Sequence, residues 1–155
     1  MIVRVVLAVL VAAALIAAAA PAIGDARDGV ATADVQREAH EVADAVATLS
    51  RRNDPVPRGV PGSRRILTVD PPSGTRVGIG GVPSAKPADG DGTDVVSWVS
   101  RSGATGLERL PVDARAVGSR GVLADDRGIV IRERSRLRLA YVLVDGEPTV
   151  TLTRV

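Results

Sequence analysis

The sequence predicts an α+β protein, with an N-terminal transmembrane helix and helical stem followed by a small antiparallel β-rich domain. Three observations carry that expectation. No charge occurs between Arg4 and Asp25. From Val35 to Leu49 apolar residues return at three- and four-residue steps, the period of one helical face. From Ile129 to Val155, short runs of alternating apolar and polar residues are divided by turn-forming residues.

Residues 1–24 read as a membrane anchor. Val5 to Ala20 is VVLAVLVAAALIAAAA, and Pro21–Ala22–Ile23 extends it before Asp25. A spanning helix needs about 20 predominantly apolar residues, and this stretch reaches that length. Arg4 and the amino terminus are basic on one side, whereas Asp25, Arg27 and Asp28 are mixed on the other. Basic residues stay cytoplasmic, so the N-terminus is expected inside and the C-terminal domain outside the cell membrane, crossed once. Two other readings stand beside this one. Ala20–Pro21–Ala22 has the small-x-small form of a signal-cleavage site, which would give a secreted protein. The stretch is also apolar enough for a buried helix of a soluble protein. Pro21 can kink a continuing helix or end one.

Residues 25–52 read as a helical stem. In VATADVQREAHEVADAVATL, Val35, Ala39, Val42, Val46 and Leu49 share one face, and Arg37, Glu38, Glu41 and Asp44 lie largely away from it. Arg37 and Glu41 have the spacing of a weak surface ion pair. The stripe packs either on the chain's own β-domain or against helices of neighbouring proteins. His40, the only histidine, reads as solvated or edge-packed, with no cysteine or second histidine to complete a familiar metal site.

Residues 53–64 read as a connector rich in proline, glycine and arginine. Pro55, Pro57, Gly59, Pro61 and Gly62 stop the helix and favour stiff, extended chain. Arg51, Arg52, Arg58, Arg64 and Arg65 are able to contact phosphate. With a formal charge of only +2 and aromatic content of 1%, a solvated connector or protein-binding surface is expected, and no nucleic acid.

Residues 65–155 read as the β-rich extracytoplasmic domain. Candidate strands are Ile66 to Val69, Val77 to Val82, Val95 to Val99, Gly121 to Ala124, Ile129 to Ile131, Leu137 to Val144 and Thr149 to Val155. Leu107 to Pro111 reads as a turn or edge segment, and Asp145–Gly146–Glu147 as a tight hairpin connection. Leu137, Leu139, Tyr141 and Leu143 face one way along the longest strand. Arg136, Arg138, Ala140, Val142 and Val144 face the other. Arg132, Arg134, Arg136 and Arg138 line up only if no turn interrupts them, and a reversal near Ser135 makes them plain surface charge.

Chemistry is constrained mainly by what is missing. The 155 residues contain no cysteine, which excludes disulfides, thiolate zinc sites and a catalytic cysteine. No G-x-S-x-G, H-E-x-x-H or G-x-x-x-x-G-K-[ST] pattern occurs. Gly78, Gly80 and Gly81 lack the following helix of a dinucleotide site. Lys86 to Asp94 superficially resembles a calcium loop, but the aspartate spacing is incomplete and Ser100 stands where the closing glutamate belongs. Asp113, Asp125 and Asp126 sit beside turns and read as solvated. The expectation is therefore no catalytic, cofactor-binding or metal residue, no cofactor, and no enzymatic activity.

The overall plan, membrane helix, external helical extension and β-rich head, resembles type IV pilins and pseudopilins. More specifically, MIVRVVLAVL, PAIGDARDG and NDPVPRGVPGSRRILTV look like segments of a family of short haloarchaeal membrane proteins, over essentially the whole chain. In pilin-like proteins the apolar helices pack together while head domains face outward. The resemblance implies that Val5 through Ala20 pack within such an assembly and Val35, Val42 and Val46 act in the stem. The apolar run has no glutamate near its start and no long basic leader before it, departures that weigh against major-pilin polymerisation. The anchor, the striped stem and the lack of catalytic motifs lead to the expectation of a non-enzymatic, minor-pilin-like or secretion-associated component. Expected partners are the lipid bilayer, other copies of the chain, and subunits of pilus or secretion machinery. An anchored or secreted ligand-binding β-domain, using the Lys86–Asp94 loop, is the alternative.

Overall fold

A computed structural model of the chain describes residues 2–80, 94–117 and 128–155. The first element, α1, runs unbroken from Ile2 to Arg52, 51 residues, or about 76 Å at 1.5 Å per residue. Its alanine-rich first half favours helix throughout. Pro21 lies inside it and withholds one backbone donor from the preceding turn without ending the helix. The other end is closed by chemistry that the sequence carries locally. Asn53 Nδ2 donates to the Leu49 carbonyl at 2.9 Å, and Ser50 Oγ donates to that of Ala47 at 3.1 Å. Arg51 and Arg52 place positive charge on the last turn, where the helix dipole favours it.

The two halves of α1 have opposite surroundings. Every described side chain from Val3 to Ala22 is exposed, whereas Val35, Ala39, Val42, Val46 and Leu49 are buried. Ala43 and Ala45 are buried beside them. Of the two readings of the stripe, the structure has the first: it packs on the chain's own strands.

The strands are β1 (Val56–Pro57), β2 (Arg64–Val69), β3 (Arg76–Ile79), β4 (Val95–Val99) and β5 (Thr105–Arg109), followed by β6 (Asp113–Ala116), β7 (Ile129–Ile131), β8 (Ser135–Val144) and β9 (Glu147–Arg154). They form two sheets. In the larger, β8 lies between β9 and an edge shared end to end by β2 and β1, and β6 flanks β9. The smaller has the order β5-β4-β3-β7 and is antiparallel. Arg154 ties the sheets together by donating to the Val130 carbonyl at 2.7 Å.

Two hydrogen bonds align β2 with the helix. The Asp70 backbone N–H donates to Glu38 at 3.0 Å, and Ser63 Oγ donates to Asn53 Oδ1 at 2.6 Å. From Glu38 to Asn53 the helix rises about 22 Å. From Ser63 to Asp70 an extended chain spans about 23 Å. These lengths match, so β2 runs back along α1 in the opposite direction. The core lies between, built from the helical stripe with Val69, Val77, Ile79, Val96, Ile131, Leu137, Leu139, Val150 and Leu152.

The expected antiparallel domain is therefore mixed in detail. β1 pairs parallel with β8, and β6 pairs parallel with β9. Neither short strand stands out in the sequence. Asp113–Ala116 buries only Ala114, and Val56–Pro57 lies within the proline-rich connector, which also gives up Arg64 to β2. Leu107 falls in the edge strand β5, as its segment suggested. The Asp145–Gly146 connection of β8 and β9 has φ of 53° and 88°, the left-handed pair of a two-residue hairpin turn. Leu137, Leu139 and Tyr141 face the core as expected, but Val142 and Val144 on the other face are also buried. Val142 pairs with Val56 of β1, and the chain after β1 borders the same face. The candidate strand Gly121–Ala124 and residues 81–93 lie outside the described residues.

Candidate functional site

Among the described residues, three surfaces carry chemistry beyond the core. The first is the N-terminal half of α1, the one helix among the described residues long and apolar enough to cross a membrane. Leu7 is 62% exposed, Leu15 66% and Ile16 72%. Where this surface meets the β-domain, Ala22, Ala26, Val30 and Pro72 border a shallow apolar groove of about 590 Å³.

The second lies between α1 and the smaller sheet. His40 Nδ1 is 3.2 Å from Glu108 on β5, and Nε2 is 3.6 Å from Asp44 one turn along the helix. Glu108 faces the helix because it shares a cross-strand pair with Val96, a core residue. His40 is thus edge-packed, as its position suggested, with its side chain 63% exposed. The groove beside it, about 580 Å³, is also bordered by Gln36, Arg37 and Trp98. Arg37 pairs with Asp34 at 3.0 Å and not with Glu41, the partner its spacing suggested. The preceding turn presents Asp34 at i−3, an equally close neighbour on a helix.

The third is a cavity of about 350 Å³ on the outer face of the larger sheet. It is bordered by Arg58, Arg64 and Arg138, by Ser63, Thr151 and Thr153, and by Val60 and Ala140. Register explains the gathering. Arg64 pairs with Ala140, Ala140 with Thr151, and Arg138 with Thr153, so four side chains on one face surround a residue too small to fill the space. The segment after β1 brings Arg58 and Val60 across. Sequence reasoning noted Arg58 and Arg64 as able to contact phosphate but read their segment as a solvated connector or protein-binding surface, and it read Arg138 as surface charge, so it did not find this site. Only the pairing of β2 with β8 brings them together.

The remaining sequence candidates stay apart. Asp113 pairs with Arg115 on its own strand at 3.2 Å, and Asp125 and Asp126 lie outside the described residues. Arg115 Nε is buried with no hydrogen-bond partner among the described residues. Gly78 is a β3 residue, and no helix follows that strand among the described residues. Arg132 and Arg134 fall between β7 and β8, so only Arg136 and Arg138 share a strand face. The described residues contain no group of three His, Cys, Asp or Glu able to hold a metal. The Lys86–Asp94 loop is described only at Asp94.

Residues 2–155 match the model of a protein family described as Domain of unknown function (DUF7311). Neither the curated proteins nor the solved structures give a match.

Proposed function

The chain belongs to the DUF7311 family, and we propose that this member is a single-pass membrane-anchored, non-enzymatic component of a surface assembly, minor-pilin-like or secretion-associated. One observation carries the reading: a single helix is apolar and uncovered from Val5 to Ala22, then embeds its next apolar stripe in a β-rich head. A helix of that kind couples the head to whatever holds its first half. The apolar half suits hydrocarbon, where its backbone is satisfied internally. Arg4 before it and the mixed charges after it set the N-terminus in the cytoplasm and the head outside. In an assembly, the uncovered face of one helix packs against those of neighbouring subunits while the heads face outward.

Crosslinking in native membranes tests this. Adducts are expected between the Val5–Ala20 segment and helices of other subunits, including other copies of this chain. A protein that stays monomeric and partner-free at saturating crosslinker contradicts the assembly role. The N-terminus of the mature protein separates the anchor from the signal reading: a soluble form beginning at Ile23 removes the anchor.

A further inference from the structure

The cavity on the larger sheet is bordered, among the described residues, by three guanidinium-bearing residues and by no carboxylate. Among the described residues neither Arg64 nor Arg138 forms an ion pair. Like charges gathered at one place repel, and an anion among them relieves that repulsion. Arg64 and Arg138 are diagonal neighbours across β2 and β8, within about 7–8 Å of each other by sheet geometry and within reach of one tetrahedral anion. Planar guanidinium forks match phosphate and sulfate oxygens in pairs. The Thr153 hydroxyl adds a donor from the neighbouring strand. Ala140 leaves the floor open, and about 350 Å³ lies at the small end of the range for small-molecule sites.

We propose that this cavity binds a small soluble ligand through a phosphate or sulfate group, with Arg64 and Arg138 as the primary contacts. A lipid headgroup carries the same chemistry, so the source must be distinguished. Ser63 on the cavity wall hydrogen-bonds Asn53, which lies 31 positions beyond Ala22, about 46 Å of helical rise. On the anchored reading that distance keeps the site away from headgroups of the membrane holding the same chain. The site itself lies within the β-domain, so it stands if the anchor reading fails.

Titration calorimetry of the full chain in neutral detergent, with inorganic phosphate and sulfate at constant ionic strength, tests the assignment. Saturable binding is expected, weakened about tenfold or more by Arg64→Gln or Arg138→Gln, as for loss of a charge-assisted hydrogen bond. Arg76→Gln, on the other sheet, should leave the affinity unchanged. Circular dichroism melts identify any variant that fails to fold; Arg138→Lys, which keeps the charge, should then bind with intermediate affinity. Absence of saturable binding overturns the proposal, and so does equal weakening by Arg76→Gln. Repeating the titration in anionic and zwitterionic vesicles separates the sources. Equal affinity in both supports a soluble ligand, and loss of phosphate binding only in anionic vesicles assigns the site to lipid and overturns it.

Discussion

Gly106 shows how one residue sets local geometry. It pairs with Trp98 across β4 and β5, and a Cβ there would run into the indole ring. Gly106→Ala should lower stability by about 1–3 kcal/mol, as overpacking does, read as a shift in urea midpoint with unchanged slope. Gly146, at φ of 88°, meets no such neighbour, so Gly146→Ala tests backbone conformation alone. A loss of about 1 kcal/mol is expected, since only glycine takes that conformation freely. The Asp145–Gly146 turn was legible because its chemistry is local. The contact of His40 with Glu108 was not, since Glu108 is 68 positions away and reaches it only once β5 lies beside the helix. The pair is largely exposed and screened by water, worth at most about 1 kcal/mol.

Among the elements, α1 was the most legible, because helical periodicity is written within each few residues. Its stripe from Val35 to Leu49 appears as buried side chains at the predicted spacing. What periodicity leaves open is the surface a stripe meets. Both a β-domain and a neighbouring helix accept small apolar residues, and β2 running back along the helix decides between them. Val42 is fully buried in that contact. Val42→Asp places an unpaired charge there and should unfold the β-domain, read as loss of the cooperative thermal transition. Long strands with clear alternation, β8 and β9, were equally legible. The two short strands that pair parallel were not, because their pairing is a property of distant chain segments. The arginine-lined cavity was hidden for the same reason: its residues are ordinary in sequence and meet through register.

For the whole molecule, the opposition between the two halves of α1 matters most. One half contributes to a core. The other leaves Val3, Val5, Val6, Leu7, Val9, Leu10, Val11, Leu15 and Ile16 more than half exposed. Burying such side chains is worth roughly 1.5–3 kcal/mol each, so together they forgo more than roughly 10 kcal/mol in water. That is as large as the whole stability of a typical domain. A bilayer, or the helices of an assembly within one, recovers it. The most direct measurement is the behaviour of the full chain in native membranes under alkaline wash, followed by external protease. The account predicts that it stays in the membrane pellet while protease added outside removes the β-rich head and leaves a fragment containing Val5–Ala20. Recovery of the unprocessed chain in the aqueous fraction, folded and monomeric, would contradict it.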